Sequence, residues 1–328
     1  MTMSNRVLCL RPEADFPRVG VSPPATLAIR YAGPADACLA ALVRAADALL
    51  IPAVGPKLTP ELFEGAPTRL VQVTGAGVDR LDQAAMRRLG IAIANVPGGS
   101  NSAVAEYAVA AALTVMRRLA WSSAEIKAGR YAEMRSRMVA DNLTGLEGLT
   151  VGVVGLGTIG MAVAAGFAAH GSRIVYFDPA PREPAAAANA GYIAVTLDQL
   201  IATSDVVTLH VPLLPATTSL IGPAQLAAMK PSAVLINAAR GGIVDEAALA
   251  ATLAAGKLAG AAVDVYSTEP PTADNPLLAL SGDAAQRLLL TPHIAGVTRQ
   301  SWATLFATAW DNVERVLLRG EPPLNEVG

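Results

Sequence analysis

The chain has 328 residues, more than one ordinary domain uses and suited to two. With 52% hydrophobic and 16% charged residues it has ample material for packed cores, which excludes a disordered chain. A formal net charge of -2 gives no basic surface for nucleic acid or for an anionic membrane.

The first apolar run, residues 7–10, is too short for a signal peptide and reads as a strand. Cys9 lies in it as an expected core residue. With Cys38 it makes only two cysteines, too few for a disulfide framework. Further strands are expected at residues 27–31, 48–51, 70–73 and 91–94, with helical patterns at 35–46 and 79–89. Strands alternating with helices predict a parallel sheet. A long Ala-rich helical pattern runs from residue 102 to residue 127, and residues 132–142 are expected as loop.

A second series follows. Its strands are expected at 150–154, 173–177, 206–209, 233–236, 261–263 and 288–290. Helices are expected at 159–169 and 245–255, and a last one at 301–318. Residues 149–169 carry no charge and are long enough to span a bilayer. Five glycines in that stretch, Gly152, Gly155, Gly157, Gly160 and Gly166, fit separate elements joined by a turn better than one helix. A soluble, cytoplasmic protein is therefore expected. The only histidines are His170, His210 and His293, and no Cys/His cluster has metal-ligand spacing, so no metal site is expected.

The strand at 150–154 leads into Gly155-Leu-Gly157-Thr-Ile-Gly160, and an apolar helix follows. Asp178 closes the next strand, 18 residues after Gly160. A strand, a GxGxxG turn, a helix and an acid at a second strand end make a dinucleotide fingerprint. Gly155 permits the tight turn, Gly157 lets backbone approach a pyrophosphate, and Gly160 lets the helix pack on the strand. The helix start offers amide N–H groups and a partial positive charge to the phosphates. Asp178 can accept hydrogen bonds from ribose hydroxyls and repels a 2′-phosphate, which favours NAD over NADP. Arg182 nearby softens that preference.

Three polar residues follow strands of the same series: Arg240 after 233–236, Glu269 after 261–263 and His293 after 288–290. In an open parallel sheet ligands bind beyond the carboxyl ends of the strands, so these three can converge. An imidazole suits proton exchange with a hydroxyl while hydride leaves the neighbouring carbon. A carboxylate beside it orients the ring, and a guanidinium can clamp a carboxylate and polarise a carbonyl. His170 is expected to cap the end of the fingerprint helix. His210 ends a strand near the cofactor and is not taken as the base.

These residues, together with Thr74–Asp79, Asn95-Val-Pro97, Ala105-Glu106, Leu209–Pro212, Asn237–Gly242, Asp264–Pro270 and Thr291–Gly296, carry a family resemblance. From about Val71 onward the chain resembles the D-isomer-specific 2-hydroxyacid dehydrogenases, which include glyoxylate and hydroxypyruvate reductases and phosphoglycerate dehydrogenase. The resemblance implies an NAD-dependent enzyme moving hydride to or from C2 of a small D-2-hydroxy acid or 2-keto acid. His293 would be the acid/base, Glu269 its partner and Arg240 the substrate clamp. Asp264 would bind the nicotinamide carboxamide, Thr158 and Ile159 the pyrophosphate, and Ala238 the nicotinamide through its backbone. Val211, Pro212 and Thr217 would wall the adenosine side. Arg240 and His293 would also border the cofactor, and the amides of Gly75, Ala76 and Gly77 would hold the substrate carboxylate.

The implied fold is α/β, with two doubly wound parallel-sheet domains. A Rossmann-type cofactor domain at 101–293 would be inserted into a flavodoxin-like substrate domain at 1–100 and 294–328. The helices from Ser102 and at the C-terminal end would form a hinge, whose closure would exclude water from the hydride path. A homodimer is implied, with a small-molecule substrate as the other partner and no membrane or nucleic acid. Some members of the family act instead as NAD(H)-responsive corepressors, so a binding module without turnover is the alternative.

Overall fold

A computed structural model describes residues 5–327; the expected domain ends at residues 1–4 and 328 lie outside the described residues. The chain divides into two compact units, Met1–Ser100 with Val297–Gly328, and Asn101–Gly296 between them in sequence.

The first unit carries five strands: β1 (Arg6–Cys9), β2 (Ala28–Tyr31), β3 (Ala48–Ile51), β4 (Leu70–Val73) and β5 (Ala92–Ala94). All pair in parallel in the order β2-β1-β3-β4-β5, the flavodoxin-like winding. Every residue of β3 and β4 is buried, as a parallel sheet covered on both faces requires. One face packs against Phe16 and the helix Arg299–Leu317, through Leu305, Phe306, Trp310 and Val313. The other face holds Val43, Phe63 and Met86. Thr298 caps the last helix, its hydroxyl accepting from the Ser301 amide at 3.1 Å. Farther along that helix the buried Asn312 donates to Gln72 of β4 at 2.7 Å.

The second unit carries β6 (Thr150–Val154), β7 (Arg173–Phe177), β8 (Ile193–Ala194), β9 (Val206–Leu209), β10 (Val234–Asn237), β11 (Gly260–Val263) and β12 (Leu288–Leu290). Their order is β12-β11-β10-β9-β6-β7-β8, all parallel, so the winding reverses between β6 and β9. This is the Rossmann arrangement with one added strand. The helices Asn101–Met116 and Thr158–Ala168 cover one face of the sheet. Leu200, Leu226, Leu249 and Leu253 cover the other.

The fold class expected from the sequence is thus the fold observed, with local differences. The charge-free stretch at 149–169 divides into β6, a glycine turn and a helix. No helix of the described residues is long and apolar enough to cross a membrane. The helical pattern at 102–127 is two helices, Asn101–Met116 and Leu119–Lys127, broken where Arg118 adopts φ 51°. Arg118 is held there by an ion pair with Asp141 and by the Trp121 ring. Residues 132–142, expected as loop, are mostly the helix Tyr131–Ala140. Only Met134 of that helix is buried, so it carries no apolar stripe from which periodicity could reveal it.

Candidate active site

The switch point of the second sheet lies where β6 ends. The chain turns there at Gly155, whose φ of 90° is left-handed and favours glycine. A Cβ on Gly155 would lie 2.7 Å from the His210 carbonyl oxygen and 2.7 Å from Val211 Cγ1. One on Gly160 would stand only 2.0 Å from the Gly155 carbonyl oxygen. The glycines are therefore required by contact as well as by motif. Above Gly157, by contrast, nothing lies within 4 Å of an added Cβ. Gly157 is the N-cap of the helix Thr158–Ala168 and brings no side chain to its first-turn amides.

Asp178 sits at the end of β7. One of its oxygens accepts from the Leu156 amide at 2.7 Å, the other from the Ala180 amide at 2.8 Å. Each oxygen keeps a free lone pair for a hydroxyl donor. Open space over Gly157, uncapped amides and this carboxylate fit the pyrophosphate and ribose of NAD. Val211 packs on the glycine turn. Thr217 folds the segment beyond it, donating to the Pro212 carbonyl at 2.6 Å and accepting from the Leu214 amide at 2.8 Å. Burial pulls the His210 imidazole down to about 3, so it stays neutral beside Thr208. His170 contacts the Gly166 carbonyl at 2.9 Å, at the end of the fingerprint helix.

β10, β11 and β12 lie side by side, and their carboxyl ends bring Arg240, Glu269 and His293 into one region. His293 Nδ1 and Glu269 Oε2 are 2.8 Å apart, with the side chains 26% and 24% exposed. The second Glu269 oxygen accepts from the Tyr266 amide at 3.0 Å. Burial alone would push the Glu269 carboxyl up. The hydrogen bonds from His293 and Tyr266, with the nearby charges of His293 and Arg240, outweigh it and leave the group below its ordinary 4.5. His293 has φ 54°, an uncommon conformation for a side-chain-bearing residue and one that clusters at functional sites. Its amide is fixed to the Asp264 carbonyl at 2.8 Å.

Further residues build this region, and Gly241, Asn237, Glu246 and Tyr107 among them were given no role from the sequence. A Cβ on Gly241 would overlap the Tyr266 carbonyl at 1.8 Å, so the Arg240 loop lies directly on the Glu269 loop. Asn237 ties that loop by donating to the Arg240 carbonyl at 3.0 Å. Glu246 accepts from the Ser267 amide and from Asn275, both at 2.6 Å. Asp264 is fully buried and accepts from Thr291 at 2.5 Å, Ile294 at 2.9 Å and Ala295 at 2.8 Å, bracing the His293 turn. A carboxylate has about four acceptor sites, so one on Oδ2 stays open. Tyr107 extends the chain of contacts with its hydroxyl 2.7 Å from Thr291 Oγ1. Ala238 is half-buried between Asn237 and Ala239. Among the described residues no group of His, Cys, Asp and Glu could hold a metal ion.

In the first unit, Gly75, Ala76 and Gly77 follow β4. The Gly75 carbonyl accepts from the Val96 amide at 2.9 Å, and the Ala76 carbonyl from Asn95 Nδ2 at 2.7 Å. The three amides themselves donate to no group among the described residues. A Cβ on Gly75 would stand 2.8 Å from the Ala53 Cβ.

The second sheet and its glycine turn define a dinucleotide-binding α/β protein. Residues 109–295 match the model of the D-isomer specific 2-hydroxyacid dehydrogenase NAD binding domain. The D-3-phosphoglycerate dehydrogenase of Archaeoglobus fulgidus is 39% identical over 246 residues, 75% of this chain and 45% of that protein. The glyoxylate reductase of Korarchaeum cryptofilum is 34% identical over 288 residues, 87% of this chain and 83% of that protein. The crystal structure of holo D-mandelate dehydrogenase from Rhodotorula graminis matches with TM-score 0.84 and 26% identity, over 99% of this chain and 97% of that one. The chain belongs to the D-isomer-specific 2-hydroxyacid dehydrogenases. It spans about half the length of the phosphoglycerate dehydrogenases it matches.

Proposed function

We propose that the protein is an NAD-dependent oxidoreductase that interconverts a small 2-keto acid, glyoxylate- or hydroxypyruvate-like, and its D-2-hydroxy acid. The observation that carries this reading is the His293–Glu269 contact of 2.8 Å at the strand ends of a sheet with a dinucleotide turn. The nicotinamide cofactor, when bound, supplies the hydride for reduction and takes it up in oxidation.

The chain's own residues handle the proton and the orientation. Glu269 receives the Nδ1–H of His293, which leaves Nε2 to exchange a proton with the substrate oxygen. In reduction the imidazolium donates that proton to the carbonyl oxygen; in oxidation neutral Nε2 removes it from the hydroxyl. Glu269 stays ionised and orients the ring through Nδ1. Arg240 pairs with the substrate carboxylate and polarises the carbonyl through its fork. The amides of residues 75–77 donate to a carboxylate oxygen of the substrate. The last acceptor site of Asp264 takes the nicotinamide amide. The unit Asn101–Gly296 acts as the cofactor domain and the remainder as the substrate domain.

NADH consumption across a panel of 2-keto acids tests the proposal, with His293→Ala alongside. That variant should lower kcat by about 10²–10⁴-fold, the range for one acid/base group, with NADH affinity retained. Full turnover by His293→Ala would refute the assignment. No turnover by the unsubstituted protein, with NADH bound tightly and a second protein retained, would point to a binding module.

A further inference from the structure

We propose that Arg80 is the positioning residue that makes the amide cradle at residues 75–77 select for anions. The inference rests on the reading of that cradle as the seat of the substrate carboxylate.

Arg80 is only 5% exposed. Its Nε donates to the Pro56 carbonyl at 2.9 Å and its Nη1 to the Pro52 carbonyl at 2.8 Å. No carboxylate pairs with it among the described residues. Burial lowers the affinity of the guanidinium for its proton and no acid restores it, yet an arginine remains charged in a protein. A buried guanidinium is costly unless paired, and two carbonyls supply only partial compensation. The first unit therefore keeps a largely uncompensated positive charge in its interior.

Its location gives that charge a use. Residues 52–56 follow β3, and the cradle follows the adjacent β4. Gly55, at φ 135°, lets backbone lie against the guanidinium, and a Cβ there would be 3.1 Å from Arg80 Cζ. Two residues earlier, Ala53 meets Gly75 of the cradle. The Arg80 carbonyl also accepts from the Leu58 amide at 2.9 Å. Arg80 thus fastens the β3 loop to the β4 loop that carries the cradle, and keeps a fixed charge where the β3 loop meets Gly75 through Ala53. Oriented amides and a nearby cation reinforce each other in binding an anion. A lysine would retain the charge but not the planar two-carbonyl grip.

The test compares the unsubstituted enzyme with Arg80→Met and Arg80→Lys, using a 2-keto acid and its uncharged methyl ester. Arg80→Met should raise KM for the acid about tenfold, with kcat and NADH affinity within about twofold. kcat/KM for the ester should not change, and Arg80→Lys should recover most of the loss. Equal losses on acid and ester would reduce Arg80 to a structural staple and overturn the proposal, as would an unchanged KM for the acid. If Arg80→Met does not fold, Arg80→Gln is read the same way. If the unsubstituted protein reduces no keto acid, oxamate binding to its NADH complex decides. Weaker oxamate binding in Arg80→Met upholds the charge; unchanged binding, or none in the unsubstituted protein, overturns it.

Discussion

Replacing Gly160 with alanine adds one methyl group at a point where the structure has no room. The new Cβ would lie 2.0 Å from the Gly155 carbonyl oxygen, more than 1 Å inside van der Waals contact. Gly155 cannot retreat. Its amide is bonded to the Phe177 carbonyl at 2.8 Å, and the His210 carbonyl closes its other side. The start of the helix Thr158–Ala168 must move instead. Overpacking of this kind costs about 1–3 kcal/mol. At ~2 kcal/mol, a unit of this size should melt about 4–8 °C lower. The displaced amides should also weaken NADH binding about tenfold, the worth of one charge-assisted hydrogen bond. Gly166→Ala in the same helix is the control. Its Cβ would meet Val109 at 3.4 Å, an ordinary contact, and alanine is the better helix former by about 1 kcal/mol. The melting temperature should rise by about 2–4 °C with NADH binding intact. Thermal melts and NADH titration of both variants check this. Equal behaviour of the two, or a Gly160→Ala variant that melts and binds like the unsubstituted protein, would refute the contact argument.

Asp178→Ser should lower the preference for NADH over NADPH about tenfold, by removing a charge that repels a 2′-phosphate; kcat/KM with each cofactor measures it. Glu269→Gln keeps an acceptor for His293 but removes the charge, and should slow reduction by about 10²-fold near neutral pH. Because the Glu269 carboxyl lies below its ordinary 4.5, it is ionised at that pH and above. The advantage of the unsubstituted enzyme should therefore hold from about pH 8 to pH 5 and disappear only as pH falls below the ordinary carboxylate range. A pH-rate comparison in which the two converge above pH 5 would contradict the depressed carboxyl. Tyr107→Phe removes the hydroxyl that meets Thr291 and should cost about 1 kcal/mol in urea unfolding.

Elements whose signal is local were legible in the sequence. β3, β4, β6, β7, β9 and β12 fall where their apolar runs placed them. β8 did not, because two exposed edge residues carry no period. The helix Tyr131–Ala140 escaped for want of an apolar stripe. At the site, Arg240, Glu269 and His293 stood out because each closely follows a strand, and parallel strands deliver their carboxyl ends to one edge. The contact between Tyr107 and Thr291 joins positions 184 residues apart and leaves no local mark. Asp264 is the instructive case. Its motif suggested a cofactor contact but gave no sign that three of its acceptor sites also hold the turn that carries His293. Arg80 was silent for a similar reason, since an arginine in sequence gives no hint that carbonyls rather than water will surround it.

The divided first unit has a consequence for how the chain is made. Residues 5–100 leave the ribosome with one side of their sheet lacking its cover, because Leu305, Phe306, Trp310 and Val313 are translated near the end. The intervening unit has every strand of its own sheet in hand by then and can settle first. A message cut short before residue 299 would yield a protein with a finished nucleotide fold joined to a greasy, unfinished one, a natural target for chaperones and proteases.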